Sequence, residues 1–339
     1  MNPKWQSFLT TRNLVSGRDQ DPTLASSRPS VIATKQFSCL IVTGQDAATF
    51  LQGQTTCDVL GLHNDRATPG AICNPKGRVL STFLMLIREN GYRLILPETL
   101  APAIEKKLRM YVLRSRVSIE NRTNSIAIFG LSCDRLPERV GRSQAQSADA
   151  RYPVINAENW QIAKAGPNQW LFIGTPQSAV QQWTDLVSLD GFAETGNEYW
   201  NLLCILNGIP TLGTETTETF VPQMINLDAL GGISFEKGCY TGQEIIARMH
   251  YLGKLKRRMV LAASRSGQLP APGDPVYASE HEQSIGQIVN AEFLETREIR
   301  LLAVLQIDRI ESDSIHLFDP DASPLKMLDL PYPLLQSVP

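Results

Sequence analysis

The sequence predicts an α+β chain of two or three domains that ends in a small C-terminal β-barrel. Three observations carry this expectation. The chain has 339 residues, more than one ordinary hydrophobic core spans. Between Val31 and Leu206, period-2 and period-3.6 apolar patterns follow one another, so strands and helices are interleaved. Beyond Arg258 only short alternating strands remain, separated by Gly, Pro and Asp turns.

Each element has a local reason. Residues 1–30 are rich in Ser, Thr, Arg and Asp and are expected to form a surface tail with a short helix near Trp5 to Leu9. Val31 to Val42 alternates and is β-branched, as a strand requires. Asp46 is placed to N-cap a short helix that buries Phe50 and Leu51. Pro69 to Ile87 reads as two strands around a turn at Asn74-Pro75-Lys76-Gly77. Glu89-Asn90-Gly91 turns the chain again, and Tyr92 to Leu96 returns. Ile104, Leu108 and Tyr111 mark one face of a helix within Pro97 to Val112. Lys106, Lys107 and Arg109 lie off that face and join Arg114, Arg116 and Arg122 in a basic segment. A strand from Ser125 to Gly130, a polar loop from Asp134 to Ala150, a strand from Trp170 to Gly174 and a helix through Trp183 to Val187 compose a small α+β region. Thr195 and Glu198 have capping-box spacing before a helix with Tyr199, Leu202, Leu203 and Leu206 on its stripe; Trp200 falls beside that stripe. The terminal strands are expected at Met259 to Ala263, Pro275 to Ala278, Ser284 to Ala291 and Ile299 to Ile307.

Composition narrows the function classes. Hydrophobic residues make up 42% and charged residues 19%, as in soluble globular proteins. The net charge of −2 provides no global field for nucleic acid. There is no run of eighteen apolar residues and no apolar signal near the N-terminus, so neither a membrane span nor a secretory leader is expected. Six scattered cysteines without C-x-x-C spacing point to packing and to a cytoplasmic location. No metal site is expected from them.

Special residue types concentrate between Phe220 and Arg258. Thr241 and Glu244 have capping-box spacing, Tyr240 and Ile245 are placed as a hydrophobic staple, and Gly253 is a candidate stop. Cys239 then lies in a glycine-flexible loop two residues before a helix start, where a thiolate is favoured; Lys237 adds a cation and Glu244 opposes both. A free cysteine is most often a small buried hydrophobe. The flanking Lys237-Gly238 and Tyr240-Thr241-Gly242-Gln243 do not resemble a core strand, so a functional thiol and a structural one stay equally open. His250 follows Cys239 by eleven residues across the helix, about 16 Å along its axis, too far for a Cys–His dyad. One ligand-like cysteine cannot hold a permanent iron–sulfur cluster, which takes about four.

The run LDALGGISFEKGCYTGQE, residues 227–244, resembles the signature of the YgfZ family, folate-binding relatives of the glycine-cleavage T-protein. Lys-Gly-Cys-Tyr-Thr-Gly-Gln-Glu is unbroken at Lys237 to Glu244, and weaker similarity runs from Phe37 through the FLQGQ run at Phe50 to Gln54 to the C-terminal Leu-Pro-Tyr. The resemblance implies a T-protein-like multidomain fold around a central cavity for tetrahydrofolate or a folate derivative. It implies a tail at 1–30, a folate-binding domain from 31–124 plus 195–253, a small domain at 125–194 and a barrel at 254–339. It implies support of iron–sulfur cluster assembly or repair through Cys239, and thereby of tRNA methylthiolation. Phe37 and Trp200 match two aromatic folate contacts of the family, with Phe37 in place of the usual tryptophan. Expected partners are folate and iron–sulfur enzymes or assembly proteins. The basic segments Lys106 to Arg116 and Lys254 to Arg258 are expected to serve a polyglutamate tail or a partner, not tRNA sequence. The alternative is an aminomethyl-type transferase. That relative uses an acidic residue in a segment like GGVIDD; the corresponding Lys76-Gly77-Arg78-Val79-Leu80-Ser81-Thr82 has none.

Overall fold

In the computed structural model, residues 1–14, 28–89, 91–141, 151–253, 255–279, 283–294, 296–310, 314–318 and 324–334 are described. Among them, seventeen strands assemble three sheets. In chain order they are β1 (Ser30–Ile32), β2 (Phe37–Thr43), β3 (Ala67–Cys73), β4 (Val79–Arg88), β5 (Gly91–Pro97), β6 (Ser118–Asn121), β7 (Ala127–Ser132), β8 (Val154–Asn156) and β9 (Trp160–Gly166). There follow β10 (Gln169–Gly174), β11 (Ala193–Thr195), β12 (Arg257–Ser264), β13 (Pro275–Ala278), β14 (Gly286–Phe293), β15 (Ile299–Gln306), β16 (Ile315–Leu317) and β17 (Lys326–Leu328). The chain divides into two units. One comprises Met1–Phe50, Val59–Thr68 and Phe83–Trp200; the other comprises Leu51–Asp58, Pro69–Thr82 and Asn201–Pro339.

In the first unit, the sheet ordered β11-β1-β7-β10-β9-β8 buries one face against the helix Pro176–Ser188 and the N-terminal helix Pro3–Thr10. Asn2 caps the N-terminal helix through its side chain, and Trp5, Leu9 and Leu14 are buried. Trp5 meets Trp183 edge-on at 5.6 Å, and Phe129 stacks on Phe172 at 4.5 Å. The short helix expected near Trp5 to Leu9 is therefore present, and Trp5, Leu9 and Leu14 reach the core while most of the other residues of 1–14 stay at the surface. Polar composition concealed this, because only one helical stripe, Trp5 and Leu9, does the packing. Residues 15–27 of that expected tail lie outside the described residues.

The expected strand from Val31 to Val42 is two strands in different sheets. β1 pairs parallel with β11 and antiparallel with β7, whereas β2 pairs with β5 and β6 in the sheet ordered β3-β4-β5-β2-β6. The break falls where the Lys35 backbone N–H turns to the Asn197 side chain, 3.1 Å away. Asp46 precedes the helix Ala47–Gln52, but its carboxylate accepts from the Arg116 backbone N–H at 2.7 Å. The turns at Asn74–Gly77 and near Gly91 fall where expected. The polar stretch from Asp134 carries a short helix, Glu138–Gly141, and residues 142–150 lie outside the described ones.

The C-terminal sheet, ordered β16-β13-β14-β15-β12-β17, is antiparallel and curls into a half-barrel. Its core is Ile288, Ile299, Leu301, Leu305, Ile315 and neighbours. β16 and β17 have three residues each, too few to show alternation in the sequence. The C-terminal Leu-Pro-Tyr packs back: Tyr332 donates its hydroxyl to the Gly208 carbonyl at 2.6 Å. A Cβ at Gly208 would lie 2.7 Å from that hydroxyl, and its φ of +63° also favours glycine.

Arg258 is not available to an anionic ligand. Its guanidinium is buried and makes two 3.1 Å bonds to the carboxylate of buried Asp228. Removing one partner strands a buried charge. Asp228→Ala is expected to lower unfolding stability by about 3–5 kcal/mol in urea denaturation. A loss under about 1 kcal/mol would mean that water already screens the pair.

Candidate functional site

The loop bearing Cys239 is held by the 51–58 segment, which overlaps the FLQGQ run at residues 51–54. Ser234 donates its backbone N–H to the Thr56 carbonyl at 2.9 Å, and the Thr56 hydroxyl donates to the Gly232 carbonyl at 2.6 Å. The Thr241 N–H reaches the Gly53 carbonyl at 3.3 Å. Lys237 supplies the central clamp. Its ammonium donates to the carbonyls of Gln52, Thr55 and Cys57 at 2.6, 2.7 and 2.8 Å, and lies 4.9 Å from the Tyr240 ring centroid. An ammonium has three N–H donors and all three are used, while the ring face adds a cation–π contact. Thus Lys237 pins the loop to the 51–58 segment. The three N–H donors of its ammonium are committed to these carbonyls.

Burial lowers Lys237 to about 8, against the opposing pull of Cys57 and Asp58. A free lysine titrates near about 10.4. Between these values the unfolded chain retains a proton that the folded chain has released, so this residue's contribution to stability rises with pH across that window and is flat below it. Lys237→Met leaves three carbonyls without their donor and is expected to cost about 2–3 kcal/mol at neutral pH. Denaturation at pH 8 and pH 10 should show wild type gaining stability relative to Lys237→Met. Parallel curves for the two proteins would show that another group titrates.

The helix after the loop spans Gln243–Tyr251, starting later than the capping-box reading placed it. Its cap residue is Gly242, with φ +85° and no side-chain cap bond. A Cβ on Gly242 would lie 2.6 Å from the Asn74 carbonyl oxygen and 2.9 Å from Gly77 Cα. Glycine is required there by both conformation and contact. Gln243 closes the loop instead of Thr241: its Oε1 accepts from the Tyr240 N–H at 3.2 Å, and its N–H donates to the Tyr240 carbonyl at 3.1 Å. Ile245 is 37% exposed, so it forms no staple with buried Tyr240. The helix ends at Tyr251, before Gly253. Cys239 therefore stands three residues ahead of the cap, beyond the first turn where a helix end acts. What sets it apart is access: Cys239 is exposed and the other five cysteines are buried. His250 stacks on Phe235 at 3.7 Å.

Phe37 and Trp200 come together in the other unit. Their rings meet edge-on, with centroids 5.8 Å apart and an 87° interplanar angle. Trp200, expected beside the helical stripe, is 1% exposed, while Leu206 on that stripe is 37% exposed. One face of the indole lies on Gly130, where a Cβ would come within 2.3 Å of Cε3. Thr195 ends β11, and the helix that follows spans Asn197–Leu206. The indole Nε1 is buried with no partner among the described residues. Phe37 is half-buried.

The basic segments are partly committed. Arg109 bonds Glu105 and the Ile119 carbonyl, and Arg116 bonds Gln45 at 2.6 Å. Lys107 lies 4.8 Å from the Tyr111 ring. Lys106, Arg114, Lys256 and Arg257 are exposed, and Lys254 lies outside the described residues. Among the described residues no three His, Cys, Asp or Glu side chains converge as a metal site, and no helix is long and apolar enough to cross a membrane. Sequence reasoning missed the carbonyl cradle of Gln52, Thr55 and Cys57. Backbone acceptors leave no side-chain signal, although Gln52 belongs to the FLQGQ run.

The fold defines the class. The structure matches that of the glycine cleavage system aminomethyltransferase T from Bartonella henselae with a TM-score of 0.70, at 12% identity, over 89% of this chain and 86% of that one. At that identity the fold alone is shared. No family model matches the sequence. Two full-length relatives do: the tRNA-modifying protein YgfZ of Photobacterium profundum is 31% identical over 323 residues, 94% of this chain and 95% of the relative. The protein of the same name from Pectobacterium carotovorum is 31% identical over 320 residues, 92% of this chain and 94% of its own. The chain belongs to the YgfZ family.

Proposed function

We propose that this protein is a tetrahydrofolate-binding accessory factor that supports iron–sulfur cluster assembly or repair, and through it tRNA modification, by means of the Cys239 thiol. The observation that carries this reading is the exposed thiol on a loop clamped by Lys237, in a chain whose other cysteines are buried. The tRNA role draws on its relatives, which are named tRNA-modifying proteins. The residues present fit a folate ring. Phe37 offers a half-buried aromatic edge, and Trp200 holds a buried N–H donor that has no partner among the described residues. A one-carbon-substituted tetrahydrofolate, when bound, would supply a one-carbon unit. Cys239 transiently takes sulfane sulfur from a partner's persulfide, which departs as its thiol, or ligates iron as the thiolate, or is alkylated by that carbon with release of free tetrahydrofolate, since one thiolate is one ligand of the about four a cluster takes. Exposed Lys106, Arg114, Lys256 and Arg257 serve an anionic tail or partner protein. The protein works in the cytoplasm.

Cys239→Ser keeps the shape of the side chain and weakens the nucleophile. A strain carrying it is expected to lose iron–sulfur enzyme activity and tRNA methylthiolation to the level of a strain lacking the protein, with folate binding and melting temperature unchanged. Full activity in that strain removes the thiol from the mechanism. Turnover of an aminomethyl-lipoyl substrate by the purified wild type would favour the transferase reading instead.

A further inference from the structure

We infer that the cleft beside the Asn74–Gly77 hairpin turn is a binding site for a carboxylate-bearing amino-acid or γ-glutamyl chain. The cleft is open to solvent, measures about 720 Å³ and is lined by Asn74, Pro75, Lys76, Arg78, Glu218 and Thr219. All six residues belong to the second unit.

The turn is built rigidly from one side chain. Asn74 Oδ1 accepts from the backbone N–H groups of Lys76 and Arg78 at 2.9 and 3.0 Å. Asn74 Nδ2 donates to Glu218 Oε1 at 2.8 Å, which ties the turn to the opposite wall. Backbone bonds from Asn74 to Arg78 and from Gly77 to Asn74, both 2.9 Å, close the hairpin. Glu218 has φ +59°, an uncommon conformation for a side chain of its size, and its N–H is held by the Val79 carbonyl at 2.8 Å. Such strain persists where the surroundings over-determine it, and it concentrates at ligand sites.

The lining has an uneven charge. Lys76 and Arg78 bring two cations, and neither has an ion pair among the described residues. One guanidinium nitrogen of Arg78 holds the Thr219 carbonyl, which fixes the planar fork while leaving its other donors to a ligand. Glu218 is the single carboxylate, and its Oε1 is occupied by Asn74. The complementary ligand carries carboxylate for Lys76 and Arg78, and an N–H for the remaining oxygen of Glu218. A glutamate or a γ-glutamyl chain has both groups; inorganic phosphate has no such N–H. The turn also backs onto the Cys239 loop, since Gly242 packs against the Asn74 carbonyl and Gly77 Cα. A ligand gripping Lys76 and Arg78 therefore pulls on the hairpin that supports the thiol loop. If the occupant is the glutamyl tail of folate, the inference rests on the folate reading; if it is a free amino acid, it does not.

Isothermal titration of the full chain separates these sources. Tri-γ-glutamate alone is expected to bind wild type, more weakly as salt rises, and about tenfold more weakly in Lys76→Gln and Arg78→Gln. Lys76 is exposed, so its variant does not depend on a folding change. Tighter binding of triglutamyl than monoglutamyl tetrahydrofolate assigns the cleft to the tail. Free glutamate binding as well as the chain, with equal affinity for both folates, assigns it to an amino acid. No binding of either, or binding undiminished in both variants, overturns the inference, and unaltered tetrahydrofolate binding in that case leaves the folate reading standing. Chain binding without tetrahydrofolate binding does the reverse.

Discussion

Limiting iodoacetamide at neutral pH is expected to label Cys239 at least about a hundredfold faster than any other cysteine of the folded protein. Alkylation needs a thiolate that the reagent can reach. Cys239 is exposed, whereas Cys39, Cys57, Cys73, Cys133 and Cys204 are buried. Desolvation by burial also pushes Cys39 and Cys133 up to about 12, and Cys57 to about 11 despite its bond from the thiol to Thr55 and the nearby Lys237 charge. A thiol at about 11 is ionised about once in ten thousand at pH 7. Mass spectrometry of peptides from native and denatured samples gives the contrast, which denaturation should abolish. If Cys57 or Cys204 labels as fast as Cys239 in the native protein, accessibility does not single out Cys239 and its assigned role loses its physical basis.

Trp200→Ala is expected to destabilise the protein by about 3–5 kcal/mol, a cost typical of removing a buried indole. The side chain is 1% exposed and fills the space over Gly130, which nothing smaller occupies. Trp200→Phe keeps most of the volume and removes only the N–H. It is expected to fold and to bind tetrahydrofolate about tenfold more weakly, the loss of roughly one hydrogen bond from a buried donor. Wild-type stability of Trp200→Ala in urea denaturation would contradict the packing. Undiminished folate affinity in Trp200→Phe would leave the indole nitrogen no part in binding.

Local chemistry was legible wherever it is local. Asn74 and Gly77 mark a tight turn by residue type alone, and the turn is there, because an Asn side chain can satisfy the backbone two and four residues on. The long strands β12 and β15 are near-continuous buried runs of eight residues each and were readable within two residues. The capping-box reading at Thr241 failed because the cap residue is Gly242, at φ +85°, and the Gln243 side chain closes the loop in its place.

The sequence by itself determined that this chain is a YgfZ-family α+β protein with a β-rich end. It also singled out Cys239, through an unbroken eight-residue run that no propensity argument requires. Only the tertiary structure decided what the neighbours of that cysteine do. Lys237 turns toward Gln52, Thr55 and Cys57, residues about 180 positions away, because a partly buried ammonium needs three acceptors at once. Trp200 moves from the edge of a helical stripe to full burial because Gly130, on another strand, leaves room for it. Arg258 leaves the basic patch because Asp228 is buried beside it. In each case the deciding group is a backbone carbonyl, an absent Cβ or a single carboxylate far along the chain. Periodicity records which side of an element is apolar; it carries no record of what is packed on that side.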